Sequence, residues 1–290
     1  MAPRLRVLLQ SSIGYAADDW HVGRFALLRE EIEKIADVVA RNREAAGTGD
    51  DPVLSSLNRD TFDELWLLGV DGGEGLSARD VAGVNAFHRQ GGGVLTVRDH
   101  QNMGLWLRGV DGVGQAHFFH QVDFCEPDGE RLCVDDLDTP TISWPNYHSG
   151  RNGDLQRIVD ADPEHPHPLL RNDRSPRGRI AAIPAHPHEG AVREPKGQPR
   201  ARTIARGTSQ TTGRSFDLIV AFDRDGEHPG RAIAESSFHH FADYNWDIGR
   251  GAPSFVTERP GFEISRAPGA LDDVRAYVRN AVEWLAPAGI

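Results

Sequence analysis

Cysteine is scarce in this chain: its 290 residues include only Cys125 and Cys133. A structural zinc site needs four protein ligands, so two cysteines cannot complete one alone. The pair flanks the turn-like residues 127–129, where a hairpin could bring the two thiols near each other. We expect ordinary free thiols rather than a redox pair or a cysteine-based metal site.

Long apolar runs and an excess of basic residues are also missing. No run approaches the roughly 18 apolar residues of a membrane span, and residues 1–4 lack the apolar core of a signal peptide. Acidic residues outnumber basic ones by 43 to 32, and the net charge is −11. This charge argues against a nucleic-acid backbone or an anionic membrane as the main partner. We expect a cytoplasmic protein with a small-molecule ligand, and a homodimer through a sheet edge or the first long helix stays open.

Short apolar runs alternate with amphipathic segments over the first hundred residues. Residues 6–10, 64–70 and 94–97 are strand-like. Residues 20–44 and 77–90 carry apolar side chains at spacings of three and four, as amphipathic helices do. Strands that alternate with helices pair in parallel through right-handed crossovers. The prediction is an α/β fold, a three-layer sandwich with a mostly parallel, flavodoxin-like central sheet.

The middle of the chain is irregular before the pattern resumes. Residues 111–178 are rich in Gly, Pro, Asp, Asn and His, and long loops inside a compact domain are more often functional than idle. An amphipathic helix is expected at 271–285. Further strand-like runs are 179–183, 201–205, 216–222 and 231–234. The simplest prediction is one domain over residues 1–290, with a loop-rich insertion at about 111–178.

A first polar cluster follows the strand predicted at 94–97. In an open parallel sheet, ligands bind outside the carboxyl ends of the strands. Arg98, Asp99 and His100 occupy that place, and the Asp99–His100 pair offers a base and the group that orients it. The alternative is that Asp99 caps the following helix while His100 faces solvent.

A second cluster, "HPHE", follows residues 179–183 closely. If the extended conformation continues, His186 and His188 point to the same side. Together with Glu189 they form half of a metal site or a proton-transfer pair. The alternative is that both histidines are packing residues of a proline-flanked loop.

A third cluster, "SSFHHFADYNWD" at 236–247, follows residues 231–234. In a helical turn, Asp243 lies four residues after His239 and three after His240, so it could orient either imidazole. The alternative is a buried polar network in which Tyr244 and Trp246 pack their rings and find partners for their polar atoms.

The residues "GGGVLTVRDH" at 91–100 resemble the glycine-preceded nucleophile-elbow strand of the class I glutamine amidotransferase-like superfamily. They are closest to its trehalose-utilisation (ThuA-like) branch, in which a "GGG" strand ends in a histidine instead of a cysteine. "HPLL" at 167–170 and "GR" at 230–231 also match that branch. Because this elbow holds no cysteine, glutamine hydrolysis through a cysteine thioester is not expected. The resemblance implies the scaffold and leaves the activity open.

Two functions stay open. One is a metal-assisted or acid–base hydrolase or isomerase that acts on a small polar substrate, a sugar derivative as the resemblance implies. The other is a non-catalytic ligand-binding or assembly protein on the same fold. The enzyme hypothesis assigns a divalent metal, zinc or similar, to His186, His188, His239 and His240. It assigns catalysis to Asp99, His100, Glu189 and Asp243, and substrate contacts to Arg98, Trp144, Asn146, His148, Asn245 and Trp246.

Overall fold

The computed structural model describes residues 4–45, 49–123, 133–135, 139, 141–267 and 269–289. The strands of these ranges are Leu5–Ser11 (β1), Ala36–Arg41 (β2), Glu64–Leu68 (β3), Gly93–Val97 (β4), Leu155–Arg157 (β5), Val159–Asp160 (β6), Ala182–Pro184 (β7), Ala201–Thr208 (β8), Ser215–Phe222 (β9) and Ala232–Glu235 (β10). The α-helices are Ala26–Ile32 (α1), Ala78–Arg89 (α2), His120–Asp123 (α3), Asp243–Trp246 (α4), Glu263–Arg266 (α5) and Ala270–Leu285 (α6).

The central sheet joins eight of these strands in the order β2-β1-β3-β4-β10-β9-β8-β6. Pairing is parallel from β2 through β10 and antiparallel from β10 through β6. The parallel part repeats the strand order of flavodoxin-like sheets. The predicted α/β fold with a mostly parallel, flavodoxin-like sheet is therefore confirmed.

Helices cover both faces of the sheet, because successive side chains of each buried strand point to opposite faces. Val7 and Leu9 of β1 lie in one hydrophobic cluster with Leu28 of α1 and Val278 of α6. Leu8 lies in a second cluster with α2 and the chain after β4. The result is the predicted three-layer sandwich.

Helix α2 begins where the sequence predicts, at a capping box. The Ser77 hydroxyl accepts a hydrogen bond from the backbone N–H of Asp80, and the Asp80 carboxylate accepts one from the backbone N–H of Ser77, both at 3.1 Å. These two bonds satisfy N–H groups that the first helical turn leaves without partners.

The helix predicted over residues 20–44 is wrong. Helix α1 has only seven residues, and the chain then forms β2, which pairs in parallel with β1. In β2 the exposed Asp37 and Val39 alternate with the more buried Ala36, Val38 and Ala40. This period of two is that of a strand, and β-branched valines favour it over a helix.

The strand predicted at 179–183 is displaced from the central sheet. Strand β7 instead pairs antiparallel with β5 in a separate two-stranded sheet. The "HPHE" residues therefore reach the central sheet from the side and do not extend one of its strands. The described part of the insertion at 111–178 contains only short elements: α3, β5, β6 and the 3₁₀ helices Val113–Ala116 and Pro168–Leu170.

The described cysteine, Cys133, is buried and free. Burial and the nearby Asp135 raise the pKa of its thiol to about 12, so it stays protonated and unreactive at neutral pH. Cys125 lies outside the described residues. In the same ranges, every helix is too short or too polar to cross a membrane.

Candidate metal centre

Two of the predicted clusters meet because β4 and β10 are neighbouring parallel strands. Asp99 follows β4, and His239 lies in the single turn Phe238–His240 that follows β10. The backbone N–H of Phe238 donates to the Arg98 carbonyl at 3.0 Å and ties the two strand ends together. The carboxyl ends of parallel strands are where open α/β sheets bind ligands.

The second cluster, "HPHE" at 186–189, joins them through a close backbone approach at Gly190. Its N–H donates to the Ser236 carbonyl at 3.0 Å. A Cβ at this position would lie 2.4 Å from the Asp99 carbonyl oxygen and 2.8 Å from that of Ser236, so only glycine fits between the two loops. This contact brings His186 beside Asp99.

Asp99, His186 and His239 converge on one buried point. His186 Nε2 lies 3.0 Å from Asp99 Oδ2, and His239 Nε2 lies 3.9 Å from the same oxygen. The two imidazole rings stack with centroids 3.5 Å apart. Among the described residues, these three form the group of candidate ligands whose donor atoms all lie within 4.8 Å of one another.

Two asparagines orient the imidazoles. Asn245 donates through its Nδ2 to the Ala185 carbonyl and to Asn152 Oδ1, both at 2.9 Å. The remaining amide oxygen of Asn245 faces His239 Nδ1 at 3.0 Å, and Asn152 Oδ1 faces His186 Nδ1 at 2.8 Å. Because an amide oxygen only accepts hydrogen bonds, both histidines carry their proton on Nδ1.

The Nε2 atoms therefore present lone pairs to the Asp99 carboxylate. Burial, together with neighbouring histidines, holds the pKa of His186 and of His239 well below the usual value, so both rings are neutral. Neither Asp99 oxygen nor His186 Nε2 finds a hydrogen-bond partner in the described part of the chain. A divalent cation held by both atoms would satisfy these buried acceptors.

This donor set fits a divalent metal ion. Two neutral imidazoles and one carboxylate are ligands that zinc accepts. Hydrogen bonds from the far ring nitrogens of metal-bound histidines normally fix the tautomer, as Asn152 and Asn245 do here. Asp99, His186 and His239 could therefore hold a metal ion, with Asn152 and Asn245 orienting the two imidazoles.

His100 and His188 lie between this centre and solvent. Their rings are 5.1 Å apart, and His188 also packs edge-on against His186 at 4.4 Å. Burial lowers the pKa of His100 to about 4, although 17% of its side chain is exposed. His188 Nε2 lies 3.8 Å from Glu258 Oε1, a carboxylate that the sequence motifs did not indicate.

His240 belongs to a different buried network. Its Nδ1 lies 2.9 Å from Glu235 and its Nε2 lies 3.3 Å from Glu189. Burial alone would lower the pKa of His240, but the two glutamates raise it to about 10. An imidazolium has no lone pair for a metal, so His239 and His240, although adjacent, have separate roles.

Glu189 is held within the same network, and in the described part of the chain its carboxylate makes no direct hydrogen bond or ion pair with Asp99, His186 or His239. Its carboxylate accepts hydrogen bonds from the side chains of Ser149, Gln156 and Ser236. The "HPHE" residues are thus divided between two sites, His186 in the metal centre and Glu189 beside His240.

Arg98, predicted to bind substrate, shapes its own loop. Its guanidinium donates to the carbonyls of Met103, Phe118, His100 and Gln101. Burial lowers the pKa of Arg98 to about 9, and these carbonyls occupy four of its five N–H donors. Arg98 therefore holds the residues after Asp99 in place.

The other predicted residues lie around the centre in supporting positions. Asp243 accepts a hydrogen bond from the backbone N–H of Leu27 at 2.8 Å, and the histidine-orienting role predicted for it is taken by Asn245 and Glu235. Trp246 is buried and donates to the His240 carbonyl at 2.7 Å. Trp144 is also buried, so neither ring offers an open face to a sugar.

Asn146 and His148 support the loop that carries Asn152. Asn146 accepts from the backbone of Asp135 at 2.8 Å and donates to the Ile142 carbonyl at 3.0 Å. His148 Nδ1 lies 3.0 Å from the Pro187 carbonyl. These contacts position the neighbouring segments and leave Asn152 beside His186.

No family model matches the chain, and no curated protein matches it. Several solved structures match the chain in fold. The mmIFT52 N-terminal domain is 10% identical, with a TM-score of 0.51 over 98% of this chain and 99% of that one. A ThuA-like protein from Parabacteroides merdae is 13% identical, with a TM-score of 0.48 over 97% and 90%. The glutaminase domain of Trypanosoma brucei CTPS, with bound acivicin, is 12% identical, with a TM-score of 0.42 over 96% and 94%. These likenesses concern the fold alone.

Proposed function

We propose that the protein is a metal-dependent enzyme in which Asp99, His186 and His239 hold a divalent ion such as zinc. The observation that carries this proposal is the 3.0 Å approach of His186 Nε2 to Asp99 Oδ2, with no proton on the nitrogen to bridge them. A third donor, His239 Nε2, faces the same oxygen. Three protein ligands leave a fourth position for water or substrate, as in catalytic zinc sites.

A zinc ion bound there would lower the pKa of its water ligand and polarise a substrate oxygen. The chain's own groups supply proton transfer and orientation. His100, whose low pKa keeps it neutral at pH 7, can accept a proton from a reacting group. His188 packs beside His100, and Glu258 lies 3.8 Å from His188. The reaction class that suits these groups is hydrolysis or isomerisation of a small polar molecule, and we propose a sugar derivative.

A second candidate is a non-catalytic ligand-binding protein that keeps the metal as a structural element. The depth of the centre favours this alternative, since the side chains of Asp99, His186 and His239 are exposed by 0%, 2% and 4%. A closed structural ion resists chelators, whereas an ion that serves catalysis must exchange ligands with solvent.

Elemental analysis of the purified protein tests the proposal. We expect about one zinc or similar ion per chain after reconstitution, and its loss in His186→Ala and in His239→Ala. His165→Ala is the matched control, because its histidine is 78% exposed and distant in sequence from the centre. Metal that persists in both ligand variants, with folding unchanged by circular dichroism, would refute the metal site.

A further inference from the structure

A separate groove of about 1640 Å³ lies between the two sheets. Its walls come from β5, β6 and β7, from the loop after β8, and from α5. Asp99, His186 and His239 do not line it. The groove is larger than the roughly 300–1,000 Å³ typical of small-molecule pockets, so it can admit a ligand of several functional groups.

The groove is basic in an acidic protein. Four arginines line it, against two carboxylates, those of Asp160 and Glu263. The arginines are Arg157, Arg177, Arg179 and Arg266. Since the chain as a whole has a net charge of −11, this local excess of positive charge attracts anions to one place on the surface.

The ion pairs within the groove neutralise only a small part of the positive charge of its arginines. Arg179 lies 3.5 Å from Asp160 and donates to the Pro163 carbonyl. Glu263 accepts a hydrogen bond from the backbone N–H of Leu155 at 3.1 Å. Each carboxylate of the groove therefore already has a partner.

Arg157 and Arg177 are exposed and have no side-chain hydrogen bond or ion pair within the described ranges. Gln210 is also exposed on the groove wall and can add an amide donor. Guanidinium groups match phosphate and carboxylate oxygens in two-pronged hydrogen bonds. Separate arginines on separate segments suit a ligand with more than one anionic group.

We propose that this groove is a second binding site, for a small molecule that carries two or more phosphate or carboxylate groups. The net negative charge of the chain disfavours a nucleic acid as the occupant. The proposal is independent of the metal centre, because the two sites share no ligand-contacting residue. An experiment that refutes the groove proposal therefore does not affect the proposed metal centre, and the reverse is also true.

Calorimetric titration of the full chain at low ionic strength tests the groove, with pyrophosphate and citrate as the two probes. We expect at least one probe to bind, with affinity that falls as salt is added. The Arg157→Gln/Arg177→Gln double variant should weaken binding by at least about tenfold, because it removes two charge-assisted contacts. A preference for pyrophosphate or for citrate identifies the anionic group.

Arg174→Gln is the matched control, since Arg174 is exposed near Arg177 but does not line the groove. It should leave both affinities unchanged. The Arg157→Lys/Arg177→Lys double variant keeps both positive charges and removes the two-pronged guanidinium hydrogen bonds. Its affinity for the probes should therefore fall between those of the wild type and the glutamine variant. The proposal is overturned if neither probe binds, or if the glutamine variant binds the probes as tightly as the wild type.

Discussion

Nε2 of His186 faces Oδ2 of Asp99 at 3.0 Å, and the two side chains are exposed by no more than 2%. The proton of His186 lies on Nδ1, toward Asn152, so the short approach joins two acceptors. Two lone pairs this close repel each other in a buried site. A cation between them converts the repulsion into two coordinate bonds, and this relationship underlies the first prediction.

Asp99→Asn should stabilise the metal-free protein and abolish its response to zinc. Removing the unpaired buried charge should raise the free energy of unfolding by about 1–3 kcal/mol. The wild type should instead gain about 4 kcal/mol when free zinc exceeds its Kd a thousandfold. Thermal or urea unfolding with and without zinc measures both effects. Equal zinc stabilisation of the two proteins would remove Asp99 from the ligand set.

Asn152→Ala should weaken zinc binding without removing a ligand. The asparagine fixes the Nδ1 proton and the ring orientation of His186, and the loss of such an orienting group typically costs 10- to 100-fold in metal affinity. Asn152→Asp keeps an acceptor in place and should restore binding. Competition with a chromogenic chelator gives the affinities, and Asn58→Ala, at a half-buried position in the loop before β3, is the control. Unchanged affinity in a folded Asn152→Ala protein would contradict the assigned role.

Local sequence patterns predicted the strands and helix ends that depend mainly on interactions between neighbouring residues. The apolar runs of β3 and β4 and the capping box of α2 depend on neighbouring residues, and the structure has them where expected. The helix predicted over 20–44 is wrong because the apolar spacing of this segment also fits a short helix followed by an edge strand. Only pairing with β1, a long-range contact, distinguishes the two.

The candidate site was predictable in its histidines and not in its partners. His186 and His239 belong to dense motifs that follow predicted strands, whereas Asn152 and Glu258 stand in irregular segments far from both in sequence. The different roles of His239 and His240 also could not be predicted from the sequence. In the turn after β10, one ring faces Asp99 and the other lies between Glu189 and Glu235, and only the fold brings those carboxylates there.

The network of His240 should make stability fall in alkaline solution. The pKa of His240 is raised from 6.5 to about 10 in the folded protein, so its contribution is complete below pH 6.5 and is lost as pH rises toward 10. Over that window the slope is at most about 1.4 kcal/mol per pH unit. Glu235→Gln removes one of the two carboxylates that hold the proton and should flatten the slope.

Urea unfolding at a series of pH values measures this slope in the wild type and in Glu235→Gln. Glu283→Gln, at an exposed position of α6, controls for the loss of one negative charge. The same slope in all three proteins would mean that His240 does not retain its proton between the glutamates.

Glu258→Gln separates catalysis from metal binding. Glu258 lies 3.8 Å from His188 and outside the group of three ligands, so zinc content should not change. If Glu258 and His188 transfer protons during the reaction, the rate should fall by about 100-fold or more, the usual effect of losing a general acid or base.

A panel of nitrophenyl esters and glycosides with zinc-loaded protein supplies the rates, and Glu227→Gln in an exposed loop is the control. Turnover that is equal in Glu258→Gln and the wild type would remove Glu258 from the mechanism. Absence of turnover from the zinc-loaded wild type on every member of the panel would contradict a hydrolase of activated esters or glycosides and would favour the binding protein.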